Sequence, residues 1–210
     1  KRARSSPRRS AWRARPAPPH MPGLDPTVAR EPLHRRSIEI HGYKREDGLY
    51  DIEGHLVDTK PNDFKLAAAV RAAGDPIPGM WLRITVDRTL TIVDAAAAMD
   101  AMPYVNHCNQ IVPAYRKLVG LAIRPGYHSK VVELLGGIRG CTHVTEMAGM
   151  LATAAFQTMA GQGLQDPDRK PFHIDRCHAL DATKAVVGRY YPRWYKGTEP
   201  VAAADEADNH

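Results

Sequence analysis

Apolar and polar residues alternate on both sides of Asp47-Gly48, a pattern that leaves few alternatives to a β-hairpin. Residues 37–43 and 49–59 read as its two strands, joined by Lys44-Arg45-Glu46-Asp47-Gly48. Side chains in a strand point alternately to opposite faces. Ile52, Gly54 and Leu56 therefore share one face, while Asp51, Glu53 and His55 share the other. Ile38 and Ile40 alternate with Glu39 and His41 in the same way. The hairpin carries an apolar face and a titratable one, and the titratable face either meets solvent or lines a cleft.

Residues 80–86 repeat the alternation with Met80, Leu82, Ile84 and Val86, turn at Asp87-Arg88, and return over 89–93. The Ala-rich run 95–102 is compatible with a longer strand or a new helix. Residues 63–73 carry no decisive pattern. The second half reads as helical. Apolar spacing predicts a helix over 105–119, kinked or broken at Pro113. A second helix over 127–135 stops at Gly136-Gly137, and the longest covers 142–160. A last helical stretch runs from Cys177 to Pro192, with Asp175 as its cap. Strands first and helices afterwards imply an α+β domain over 21–195, with antiparallel hairpins from the N-terminal half packed against helices from the C-terminal half.

Charge separates that domain from its tails. Residues 1–20 hold seven Lys and Arg, no acid and four prolines, a composition expected of a disordered basic tail. Met21 follows immediately and would serve as a translation start. Removing those seven charges from the net +6 leaves −1 for residues 21–210, so nucleic-acid binding by the folded part has no electrostatic support. Residues 196–210 read as a disordered acidic tail. No apolar stretch is long enough to span a bilayer. Three cysteines, Cys108, Cys141 and Cys177, are too few for a disulfide framework and suit a reducing cytoplasm.

Chemistry concentrates at Cys141-Thr142-His143, with Glu146 one helical turn on. Gly136 to Gly140 end one helical pattern and Thr142 opens the next, so the thiol stands just ahead of a helix N-terminus. Aligned peptide dipoles and unpaired N–H groups there favour the thiolate. His143 and Glu146, at i and i+3, share a helix face. Cys141, His143 and Glu146 form either part of a metal site or an acid–base–nucleophile cluster. In the first case Cys108 joins Cys141 and His143 as a ligand, with His107 and His55 as further donors, and the ion is zinc or iron. In the second, His55 is a general base and Glu53 orients it or carries a proton. Arg35-Arg36 and Lys44-Arg45 are pairs able to receive a substrate carboxylate. His173, Asp175, Cys177 and His178 read as structural. No dinucleotide, P-loop, HExxH or GxSxG motif is present, so no nucleotide cofactor is expected.

Arg45 through Lys60, together with Gly140-Cys141-Thr142-His143, resemble a bacterial family catalogued only as a domain of unknown function, over roughly residues 32–160. That resemblance implies no established reaction and tilts towards small-molecule catabolism. Residues 74–156 are also similar in element order to iron–sulfur cluster scaffold proteins, with Cys108 and Cys141 at the second and third cysteine positions. That family's first cysteine, in a Cys-Gly-Asp motif, is absent here, where Gly74 precedes Asp75, and Gly140 stands where the family has a histidine. The sequence thus leads to a non-redox acid–base enzyme of lyase, isomerase or hydrolase type, with or without a metal, acting on a small carboxylated or aromatic substrate. It would be free of nucleic acid and membrane, with a homo-oligomer allowed. The alternative is a zinc- or iron–sulfur-binding scaffold without turnover.

Overall fold

The computed structural model describes residues 28–67, 69–162 and 168–198. The basic segment 1–20 and residues 199–210 of the acidic end lie outside them. Contacts divide the chain after Ala160 into two compact units, where the sequence reads as one domain over 21–195.

The first unit is built on an antiparallel sheet. Strands β1 (Arg35–Lys44) and β2 (Tyr50–Thr59) form the expected hairpin, in register from Lys44↔Tyr50 to Arg35↔Thr59. Gly48 supplies the turn with a φ of 82°, a conformation that costs a residue without a Cβ little. A short ribbon follows over the Ala-rich segment, β3 (Phe64–Lys65) paired with β4 (Val70–Arg71). Strands β5 (Gly79–Val86) and β6 (Ile92–Ala101) complete the larger sheet in the order β1-β2-β5-β6. The run 95–102 thus extends the strand as far as Ala101. Asp87 holds the connecting turn by accepting the N–H groups of Thr89 and Thr91.

Helical elements follow in the same unit. Where a helix is expected over 105–119, the chain forms 3₁₀ turns over Cys108–Leu118. Pro113 lies inside them, and its missing N–H removes an i→i−4 bond that an α-helix would need. Helices α1 (Tyr127–Leu135) and α2 (Thr142–Met159) match their expected spans. No helix of the described residues is long and apolar enough to cross a membrane.

Helix α2 packs on one face of the sheet, against β1, β2 and β5. Its stripe His143, Met147, Leu151 and Thr158 follows helical spacing, and the residues beneath it on the hairpin are even-numbered. A Cβ built on Gly54 would stand 2.8 Å from Met147 Sδ and 3.0 Å from a Leu151 methyl. One on Gly42 would meet Thr158. Close approach of helix and sheet therefore depends on these two glycines. Around the contact Ile52, Leu56, Leu82, Ile84, Met147 and Leu151 are fully buried. Burying side chains of this size contributes about 1.5–3 kcal/mol each.

The second unit has its own small core of Ile174, Ala182 and Val187, with Leu180, Tyr191, Trp194 and Tyr195 against it. In place of a long helix from Cys177 it holds a 3₁₀ turn over His178–Leu180 and the short helix α3 (Ala185–Tyr190). Asp175 does not cap a helix; with a φ of 66° it accepts the Ala182 N–H and pairs with Lys170. Asp181 accepts the N–H and hydroxyl of Thr183, which fixes the turn before α3.

Gly54→Val inserts three carbons where no room exists between β2 and α2. Overpacking of this kind costs about 1–3 kcal/mol. Urea denaturation is expected to show that loss, with the midpoint lowered and the slope unchanged.

Candidate active site

Asp58 is the residue on which the site converges. It continues the row Ile52, Gly54, Leu56 along β2, so its side chain enters on the face that α2 covers. Arg36 is its direct partner on β1. The guanidinium binds the carboxylate bidentately, Nε to Oδ1 and Nη2 to Oδ2, each at 2.8 Å. The Asp58 side chain is only 7% exposed. Removing Arg36 would leave a buried carboxylate with weaker partners, a loss on the order of 3 kcal/mol.

Two imidazoles flank the same carboxylate. His34, just before β1, places Nε2 at 3.6 Å from Oδ1. His143, in the first turn of α2, places Nε2 at 3.6 Å from Oδ2. The other nitrogen of the His143 ring, Nδ1, lies 3.8 Å from Cys141 Sγ. Sulfur, imidazole and carboxylate thus form a continuous line. The outer nitrogen of Arg36, Nη1, lies 3.4 Å from Glu146 Oε2 at the solvent edge.

The backbone around the sulfur is fixed by a buried phenol. Cys141 is the extended N-cap of α2, with φ −95° and ψ 127°. Its N–H donates to Tyr115 Oη at 2.8 Å, and its carbonyl accepts the Thr145 N–H at 2.9 Å. Tyr115 Oη also lies 2.9 Å from both the Cys141 carbonyl and Thr145 Oγ1, and donates to one of them at a time. Thr145 Oγ1 donates a hydrogen bond to the Leu135 carbonyl at 3.1 Å. Gly140 is required beside this network, because a Cβ there would meet the Leu135 carbonyl oxygen at 2.1 Å. Burial pushes the Tyr115 hydroxyl pKa up, so it stays protonated.

Electrostatics favour charge separation between sulfur and ring. Burial alone would push the Cys141 thiol up. The His143 ring and then the N–H groups of Val144 and His143 outweigh that, and the thiol falls below the ordinary range. The two N–H groups act through proximity, since Cys141 makes no side-chain capping hydrogen bond. His143 moves the opposite way, raised first by its contact with Cys141, against burial and the nearby Arg36 charge. Both shifts run towards a thiolate–imidazolium pair.

Of the residues singled out in the sequence, the structure brings Cys141, His143 and Glu146 to this one end of α2. It places His55 and Glu53 on the opposite face of the sheet. There His55 stacks on Trp81, ring centroids 3.7 Å apart and nearly parallel. Asp100 accepts the Trp81 indole N–H at 3.1 Å and lies 3.8 Å from His55 Nε2. Glu53 faces His41 on β1 and Arg83 on β5. Cys108 opens the 3₁₀ segment, a free and half-buried thiol. That segment reaches Cys141 through Tyr115. Among the described residues no three His, Cys, Asp or Glu side chains are grouped as a metal would require. Asp58, Arg36, His34 and Tyr115 complete the cluster without having been singled out for it. For Asp58 the signal was present: it is an acid on the apolar parity of its strand.

Residues 34–157 match a family model described as a protein of unknown function (DUF2889). The match covers more than half of the chain. The chain belongs to this family. All of the cluster, from His34 to Glu146, falls inside the DUF2889 segment, and the second unit falls outside it. No curated protein and no solved structure matches the chain, and nothing in the comparisons supports the iron–sulfur scaffold likeness.

The direction of the Cys141 shift sets a pH dependence. A group with a lowered pKa carries more thiolate at any pH below that of an ordinary thiol, near 8.5. Alkylation of Cys141 by iodoacetamide is therefore expected to titrate at lower pH than that of an unperturbed cysteine in a short peptide measured alongside. In His143→Gln the midpoint moves up, because the largest favourable contact is removed. Rates measured by peptide mass spectrometry between pH 5 and 10 check both outcomes.

Proposed function

We propose that this DUF2889 protein is a small-molecule enzyme of non-redox type, using Cys141 as nucleophile in hydrolysis or acyl transfer. One observation carries the reading: Cys141 Sγ, the two nitrogens of His143 and the buried Asp58 carboxylate stand in line. Lyase and isomerase chemistry would need an acid and a base on either side of a substrate. A thiol backed by an imidazole and a carboxylate suits attack on an acyl carbon better.

Each residue then has a distinct role. The Cys141 thiolate attacks the acyl carbon, and a sulfur–carbon bond forms as the bond to the leaving group breaks. His143 Nδ1 gives its proton to the leaving group, then takes one from the water that attacks the thioester. Asp58 faces the far nitrogen of the ring, holds its orientation and stabilises the imidazolium. Arg36 is a positioning residue, acting on the ring through Asp58. N–H groups in the first turn of α2 have no intrahelical acceptor and offer donors to the developing oxyanion. The sulfur–ring and ring–carboxylate separations exceed a tight hydrogen bond, as is common before substrate is bound.

A panel of small activated esters and thioesters tests the reading. Turnover is expected to fall by roughly 10²–10⁴ in Cys141→Ser and His143→Gln, the usual scale for a nucleophile's base. Asp58→Asn is expected to lower kcat while the protein remains folded by circular dichroism. Intact-mass spectrometry should find acyl groups on the wild type and none on Cys141→Ser. Full turnover in Cys141→Ser would remove the proposal.

A further inference from the structure

On the outer edge of the Cys141 cluster Arg36 keeps a donor that Asp58 does not use. Arg36 spends two of its nitrogens, Nε and Nη2, on Asp58. Its third, Nη1, meets among the described residues only the weak contact to Glu146 Oε2 at 3.4 Å. Both side chains reach solvent, Arg36 at 36% and Glu146 at 53% exposure. His34, at 44% exposure, stands on the same edge with Nε2 near Asp58 Oδ1. The N-terminus of α2 adds a positive dipole end. His143 shares Asp58 Oδ2 with Arg36 Nη2, so the outer edge of Arg36 is one imidazole away from the sulfur.

An anion entering from solvent meets Arg36 Nη1, His34, His143 and the helix end. Arg36 and Asp58 balance each other's charge, so what the edge offers an anion is the directed Nη1 donor, and Glu146 is the carboxylate now holding it. Exposed ion pairs at this distance contribute little and yield to a better-placed partner.

We infer that the site takes an acyl substrate bearing a carboxylate, and that this carboxylate displaces Glu146 from the outer edge of Arg36. The inference rests on Cys141 as the nucleophile and adds the substrate class. It also assigns Glu146 a role as a gatekeeping charge that occupies Arg36 until substrate arrives.

The probes are iodoacetylglycine and its neutral twin iodoacetylglycinamide. Both alkylate by the same step: the thiolate forms a bond to the methylene carbon and iodide leaves. They differ only in a carboxylate a few bonds beyond that carbon. On the full-length protein at low ionic strength, the acid is expected to label Cys141 roughly tenfold faster than the amide, relative to the same ratio for a small neutral thiol. The advantage should shrink with added salt. It should grow in Glu146→Gln, where the competitor is gone, and collapse in Arg36→Gln. If Arg36→Gln does not fold, the Glu146→Gln ratio decides alone. Equal rates for the two probes on a Cys141 that reacts rapidly at pH 6 would overturn the substrate class and leave the nucleophile standing. A Cys141 no faster than the small thiol with either probe would overturn both.

Discussion

The contact between Arg36 and Asp58 fixes everything around it. Asp58 is a carboxylate placed under a helix, where an isolated charge would be costly. Two guanidinium donors at 2.8 Å make it tolerable, and the cross-strand register of the hairpin puts those donors in place. Once charged and immobile, Asp58 gives His143 a fixed partner on one nitrogen and leaves the other facing Cys141. A loose carboxylate would allow the ring to rotate, and sulfur and imidazole would lose their common line.

The other half of the arrangement comes from the backbone. Tyr115 takes the Cys141 N–H, and Gly140 passes the Leu135 carbonyl where any side chain would collide. Sulfur is thereby held at the mouth of α2 from one side, while the hairpin holds the ring from the other. Glycines at positions 42 and 54 let the helix settle on the sheet closely enough for the two sides to meet.

Much of this fold was legible in the sequence. The Asp47-Gly48 turn and the alternation on either side specified the hairpin and its register, and the glycines before Cys141 marked the start of α2. The cluster was legible only in part. Period-two alternation sends Ile52, Gly54 and Leu56 to one face, and a helix seeking apolar surface docks there. The same rule sends Glu53 and His55 away from it, so a site combining those two with the helix end conflicts with the hairpin's own pattern. Parity instead selects Asp58, and the register Lys44↔Tyr50 then selects Arg36. Tyr115 was beyond reach, because Pro113 turned the expected helix into 3₁₀ turns and changed which side chain faces α2. The shortness of α3 has a similar origin in side-chain turns at Asp175 and Asp181, which compete locally with helix formation.

The residues gathered about Cys141 come from positions 34–36, 58 and 115, as well as its own helix. No short peptide containing the cysteine carries that company. The groups that lower its pKa, the His143 ring and the N–H groups of Val144 and His143, lie within the first turn of α2, while Tyr115 and Asp58 hold that turn and that ring from outside. The cysteine's chemical reactivity is accordingly a built-in gauge of whether that helix end is formed and held in place.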